Sequence, residues 1–206
     1  MFVKICGITN QLDAELAIAA GADALGFNFW PGSRHYLEPA KAADWIRELP
    51  HTVVRVGVVV NPTESYATTI AATDGIDLLQ LHGAESPEFC LNLLKTDIPF
   101  WKAIPMTGQG MSLPDYHAKR IVLDTVTGRK FGGTGVPFPW AWARDLITGN
   151  PALELILAGG LTPENVDRAI TESRPFGVDV ASGVEARSGR KDIHRVRDFI
   201  AAARSA

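Results

Sequence analysis

Leu153-Glu-Leu-Ile-Leu-Ala-Gly-Gly-Leu-Thr-Pro-Glu-Asn-Val166 decides the fold. A short apolar run ends in a glycine pair, and Thr162-Pro163-Glu164 then signals a helix start, with Thr as N-cap and Pro at the first helical position. A strand that turns this directly into a helix is half of a parallel β–α–β unit. Working outward, the same alternation recurs. Upstream, Arg120 to Asp124 reads as a strand, followed by a Gly-rich loop over Thr127 to Pro139 and a helix from about Trp140 to Thr148. Downstream, Gly177 to Ala181 reads as a strand, with a last helix from about Lys191 to Ala203. Towards the N-terminus the strands are Phe2 to Cys6, Ala24 to Phe29, Val53 to Val60, Leu78 to His82 and Phe100 to Ile104. Amphipathic segments follow the first four, at Asn10 to Ala20, Pro39 to Leu49, after Thr63, and Ser86 to Leu94. Met106 to Tyr116 is rich in Gly, Pro and Ser, so only a short or irregular helix fits there. Val53 to Val60 is almost unbroken apolar sequence, the texture of a strand buried on both faces.

Eight β–α units in 206 residues admit an open doubly wound sheet or a closed barrel, and the count of eight favours a single α/β domain over 1–206, a (β/α)8 TIM barrel. At about 26 residues per unit the chain lies near the lower limit for that fold. Function is then expected in the loops after the strands. Composition narrows the classes. The chain is 46% hydrophobic, which excludes a disordered polymer, and 20 Lys+Arg against 23 Asp+Glu leave no basic footprint for nucleic acid or a membrane surface. No apolar run approaches the roughly 18 residues of a membrane span, and the N-terminus reads as a strand, not as a signal peptide. Two distant cysteines, Cys6 and Cys90, argue against a disulfide framework or a thiolate zinc site and fit a reducing cytoplasm.

Reactive side chains gather at predicted strand ends. Cys6 closes the first strand before Gly7, and reads either as a small buried apolar residue or as a reactive thiol. Asp124 ends the apolar run Ile121-Val-Leu, and reads either as a mouth acid with a partner or as a turn residue opening the next loop. Strands one and six are not neighbours in a barrel, so the two can face each other across its mouth. Asp179 lies near the end of strand eight, and His82 closes strand four, where a structural hydrogen bond is expected. His35, His51, His117 and His194 show no metal-ligand spacing and are expected to be mostly solvated; no metal site is expected. Trp30 lies on the loop after strand two, and the other tryptophans are expected in packing. Gly159-Gly160 and Ser182-Gly183 end consecutive strands, where backbone N–H groups can approach an anion, so a phosphorylated ligand is expected there.

Seven motifs, in order, carry a resemblance: Lys4-Ile-Cys-Gly-Ile-Thr9, Leu25-Gly-Phe-Asn-Phe29, Leu79-Gln-Leu-His-Gly83, Leu123-Asp-Thr125, Gly132-Gly-Thr-Gly135, Leu157 to Val166, and Val178-Asp-Val-Ala-Ser-Gly-Val-Glu185. Over essentially the whole chain the sequence resembles the phosphoribosylanthranilate isomerases of tryptophan biosynthesis. The resemblance implies a cofactor-free Amadori rearrangement of a small phosphosugar substrate by a cytoplasmic monomer or homodimer. It implies Asp124 as general acid, protonated when it acts, and Cys6 as general base, whose ordinary thiol pKa of about 8.5 needs only modest local tuning. It also implies Asp179 at the substrate. Two departures stand out. The family usually reads Ser-x-Arg-Tyr after strand two, with Arg on the anthranilate carboxylate; here Ser33-Arg34-His35-Tyr36 puts His35 at that place and Arg34 one residue earlier. Pro139 replaces the usual Asp, which reads as a structural change. Cys6 argues against the histidine-pathway isomerase, which uses two carboxylates. Indole-glycerol-phosphate synthase would be expected to need catalytic lysines and a longer N-terminus than this chain has. Retention of both Cys6 and Asp124 argues against a non-catalytic binding module.

Overall fold

The computed structural model describes residues 1–125 and 139–206. Among them eight parallel strands pair in chain order and close on themselves: β1 Phe2–Cys6, β2 Ala24–Asn28, β3 Val54–Val59, β4 Leu78–Leu81, β5 Phe100–Met106, β6 Arg120–Thr125, β7 Glu154–Leu157 and β8 Gly177–Val180. Closure is the β8–β1 pairing, in which Lys4 lies opposite Asp179. The helices outside are α1 Gln11–Ala19, α2 Pro39–Ile46, α3 Glu64–Ala71, α4 Pro87–Leu94, α5 Trp140–Gly149, α6 Val166–Ser173 and α7 Ile193–Ser205. The expected barrel is the observed one.

The two faces of each strand enter different cores. Ala24, Val56, Ala103, Val122 and Ile156 form a cluster inside the barrel, whereas Val3, Ile5, Leu25, Phe27 and Leu123 pack against the helices. Side chains alternate along a strand, so Lys4 and Cys6 share the inner side with Phe2, and Asp124 shares it with Val122. This parity carries Cys6 and Asp124 to the C-terminal mouth. The opposite end is plugged: the Arg120 guanidinium lies 4.8, 4.7 and 4.6 Å from the ring centres of Phe2, Trp101 and Phe176, and is ion-paired with Glu154.

Several local expectations change. No helix follows β5 among the described residues, consistent with the Gly, Pro and Ser content there. The helix signalled at Thr162-Pro163 begins later, at Val166. The reason is Asn165, which accepts from Thr162 N (2.8 Å) and donates to Gly160 O (3.0 Å), locking 162–165 into a turn before the helix. The last helix begins at Ile193, capped by Asp192, because Lys191 belongs to a hairpin absent from the sequence reading: β9 Glu185–Arg187 and β10 Arg190–Lys191, entered through a 3-10 turn at Ser182–Val184. The motif Gly132-Gly-Thr-Gly135 and most of the Gly-rich loop around it lie outside the described residues. Pro139 takes the N-cap position of α5 and supplies no side-chain cap bond, which the family's usual Asp is suited to make.

Candidate active site

Every residue singled out for chemistry or binding lines one cavity of about 700 Å³ at the barrel mouth: Cys6, Asp124, Arg34, His35 and Asp179, together with both glycine-containing turns. Cys6 ends β1, and Gly7 follows with φ of 71°, a left-handed conformation that lets the chain turn over the barrel rim. Opposite Cys6 on β2 stands Gly26, where a Cβ would lie 2.6 Å from the Cys6 sulfur and 3.0 Å from Lys4 Nζ. The missing side chain on β2 is what makes room for the thiol.

Burial pushes the Cys6 thiol up; the Lys4 ammonium pulls it down, the Asp179 carboxylate pushes it further up, and Lys191 pulls it back, with a net rise. Lys4 and Lys191 tune towards the thiolate, as the resemblance implied, and burial outweighs them. The nearest cation is already committed: Lys4 Nζ sits 2.8 Å from Asp179 Oδ2, and both side chains are buried. Across the mouth Asp124 is buried, with its Oδ2 3.1 Å from His82 Nε2. His82 is held in turn by Gln80 Nε2, 3.2 Å from its Nδ1, and by its backbone N–H on Val59 O (2.8 Å). The hydrogen bond expected of His82 is therefore directed at the candidate acid.

A second charged group stands behind Cys6. Lys191 Nζ donates to Ala181 O (2.9 Å) and pairs with Glu185 (3.2 Å), while His35 Nε2 lies 2.7 Å from the same carboxylate oxygen. Burial opposes the charge on Glu185, but His35 and Lys191 hold its carboxyl below the usual range; burial leaves Lys191 below an ordinary lysine despite that partner. His35 is thus buried, not solvated, and a Cβ on Gly7 would meet its ring at 3.0 Å. Arg34 is different: its side chain is 49% exposed and reaches Glu185 only at 3.8 Å.

The glycine turns are shaped for close approach. Gly159 and Gly160 have φ of 83° and 67°. At Gly183 a Cβ would stand 1.9 Å from Leu161 O, so the turns after β7 and β8 are packed directly on each other. Residues missed at the sequence level are Lys4, Glu185, Lys191 and Asn165. The available signal for Lys4 was its place two residues before Cys6, on the same side of a strand; for the hairpin it was Ser188-Gly189, a turn pair.

The fold is a closed eight-stranded barrel whose mouth gathers a thiol, a carboxyl and two glycine turns. The family model for N-(5'phosphoribosyl)anthranilate (PRA) isomerase matches residues 3–202. An N-(5'-phosphoribosyl)anthranilate isomerase of Geobacter sp. (strain M21) is 44% identical over 204 residues, covering 98% of this chain and 97% of its own. Among solved structures, phosphoribosyl anthranilate isomerase from Thermus thermophilus superposes with a TM-score of 0.88 at 38% identity, covering 100% of this chain and 99% of its own. A phosphoribosyl anthranilate isomerase in complex with reduced 1-(o-carboxyphenylamino)-1-deoxyribulose 5-phosphate gives 0.83 at 36%, with both chains fully covered. The same figures hold for monomers generated from the dimeric enzyme of Thermotoga maritima. The chain belongs to the N-(5'-phosphoribosyl)anthranilate isomerase family.

Proposed function

We propose that Asp124 and Cys6 perform, as acid and base, the isomerisation that defines this family: N-(5-phosphoribosyl)anthranilate to 1-(2-carboxyphenylamino)-1-deoxyribulose 5-phosphate, a step of tryptophan biosynthesis. Asp124 donates its proton to the furanose ring oxygen as the C1–O bond breaks, leaving a protonated Schiff base at C1. The cationic nitrogen acidifies the C2 proton, which the Cys6 thiolate removes to give an enolamine; tautomerisation then gives the aminoketose. No metal or cofactor is needed, because the Schiff base itself is the electron sink. The observation that carries this reading is that one cavity holds both groups and both glycine turns.

In the same reading the backbone N–H groups of Gly159, Gly160, Ser182 and Gly183 hold the phosphate, and Arg34 holds the anthranilate carboxylate, with His35 the alternative anchor. Asp179 Oδ1, buried and without a hydrogen-bond partner among the described residues, accepts from a substrate hydroxyl. The whole of 1–206 acts as one catalytic domain, in the cytoplasm, as a monomer or homodimer. Among the described residues no helix is long and apolar enough to cross a membrane.

The test is the loss of anthranilate-type fluorescence when phosphoribosylanthranilate is converted. Cys6→Ser and Asp124→Asn should each lower kcat by at least about a hundredfold, the scale of a positioned acid or base, with an unchanged fold. Near-native turnover in either variant removes the role assigned to that residue.

A further inference from the structure

Lys4 is among the largest fully buried side chains of the described residues. An ammonium taken out of water is costly, and a buried ion pair seldom stabilises a fold more than apolar residues of the same size. The Lys4–Asp179 pair therefore calls for a use besides stability, and its position supplies one. Lys4 precedes Cys6 by two residues on the inner side of β1, and its Nζ and the Cys6 sulfur converge on the space left by Gly26. We propose that Lys4 is the positioning residue of the thiol: its ammonium, anchored by Asp179, faces Cys6 and stabilises the thiolate that forms there for proton abstraction. This rests on the reading of Cys6 as the base.

The charges facing Cys6 come from three elements: Lys4 on its own strand, Asp179 on β8 and Lys191 on β10. On β2 the facing position is Gly26. Without Lys4, ionising Cys6 would set a second anion beside Asp179; with it, one cation serves both. Lys191 is less able to do this, because it is committed to Glu185 and Ala181 O and burial weakens its hold on a proton. Burial also opposes the charge on Lys4, but Asp179 and Cys6 more than offset it and hold its proton more firmly than an ordinary lysine does. Lys4 is thus held as an ammonium beside the thiol.

The experiment reads Cys6 directly, in a Cys90→Ala background that removes the other thiol. The rate of iodoacetamide alkylation against pH gives the Cys6 midpoint, and kcat against pH gives the ionisation of the base. Lys4→Met should raise the midpoint by about one pH unit or more, the usual effect of removing an adjacent opposite charge. It should lower kcat about tenfold at neutral pH, with recovery as the pH rises and KM within about twofold. Lys4→Arg, which keeps the charge, should restore the midpoint. An unmoved midpoint, or a kcat lowered by the same factor at every pH, overturns the proposal. If the midpoint moves and the kcat profile does not, Lys4 governs the thiol and it is the assignment of Cys6 as base that falls. Lys4→Met also strips Asp179 of its partner, so a second arm keeps Lys4 in place. In protein labelled with ¹³Cε-lysine, the Lys4 signal should step at the Cys6 midpoint, and the step should vanish in Cys6→Ser. No step, or a step that survives, overturns the proposal.

Discussion

Removing the Arg34 guanidinium should weaken substrate binding by about tenfold and leave the chemistry almost untouched. A charge-assisted hydrogen bond to a carboxylate is worth roughly 1.5–3 kcal/mol. Two features of the structure set the value here at the lower end. The side chain is 49% exposed, so water and salt screen it, and Glu185 already draws on the guanidinium from 3.8 Å. A loss of about 1.5 kcal/mol is about tenfold in KM. His35 predicts a different signature. Its ring fills the space over Gly7 and holds Glu185 at 2.7 Å, so His35→Ala opens a gap between β1 and the loop after β2. That substitution should cost stability and kcat together, because Cys6 adjoins Gly7. The assay is steady-state fluorescence turnover of Arg34→Ala and His35→Ala at two ionic strengths, with melting curves alongside. The Arg34→Ala defect should shrink at high salt, where screening removes most of what Arg34 contributes. If Arg34→Ala leaves KM within about twofold while His35→Ala raises it tenfold with an unchanged melting temperature, the carboxylate sits on His35 and the reasoning fails.

Three further outcomes are expected. With burial pushing the Cys6 thiol up and its thiolate needed as base, kcat should climb as pH rises through and above neutrality; a profile flat across that range rejects Cys6 as the group that loses the proton. Gly183→Ala must displace Leu161 O, so KM should rise at least about tenfold, and inorganic phosphate should inhibit the variant correspondingly less; unchanged phosphate inhibition excludes this turn from the phosphate site. At the other end of the barrel, Asp77 loses hydration, yet the hydrogen bonds from Arg55 (2.6 and 3.0 Å) hold its carboxyl below the usual range. That stabilisation is present above the unfolded carboxylate value and is lost as pH falls through the folded one, so Asp77→Asn should cost about 1 kcal/mol at neutral pH and converge with the parent in acid. A gap between the two melting curves that is the same at both pH values shows the ion pair to be irrelevant.

The barrel was legible because each strand announces itself as an apolar run, although ends moved by one or two residues, as where β5 runs on from Ile104 to Met106. Gly7, Gly159 and Gly183 mark places where the chain must turn sharply or pack on another backbone, and the runs before them are largely apolar. Parity did the rest: once Cys6 and Asp124 are placed at the C-terminal ends of their strands, period-two alternation decides whether they face inward. What alternation along one strand does not reveal is a partner far away in the chain. Lys4 and Asp179 meet through register between the first and last strands, and Glu185 gathers His35 and Lys191 through a hairpin too short to leave a periodic signature. Histidine shows the limit in one residue. Next to Arg34 in a polar stretch, His35 reads as solvated, and the bare Gly7 surface beneath it and the Glu185 carboxylate beside it explain why it is buried. The late start of α6 has the same origin, since Asn165 serves the loop before it and not the helix after it.

The Lys4–Asp179 contact spans 175 positions of the chain. Its two halves are made at opposite ends of synthesis, and they meet only when the eighth strand docks beside the first. Without that pairing the ring is open and the Lys4 ammonium beside Cys6 lacks the carboxylate that anchors it. Catalytic competence is therefore a read-out of ring closure. During refolding, turnover should appear with the pairing of the first and eighth strands and not with the gain of helix, so the enzyme's own reaction reports on that pairing.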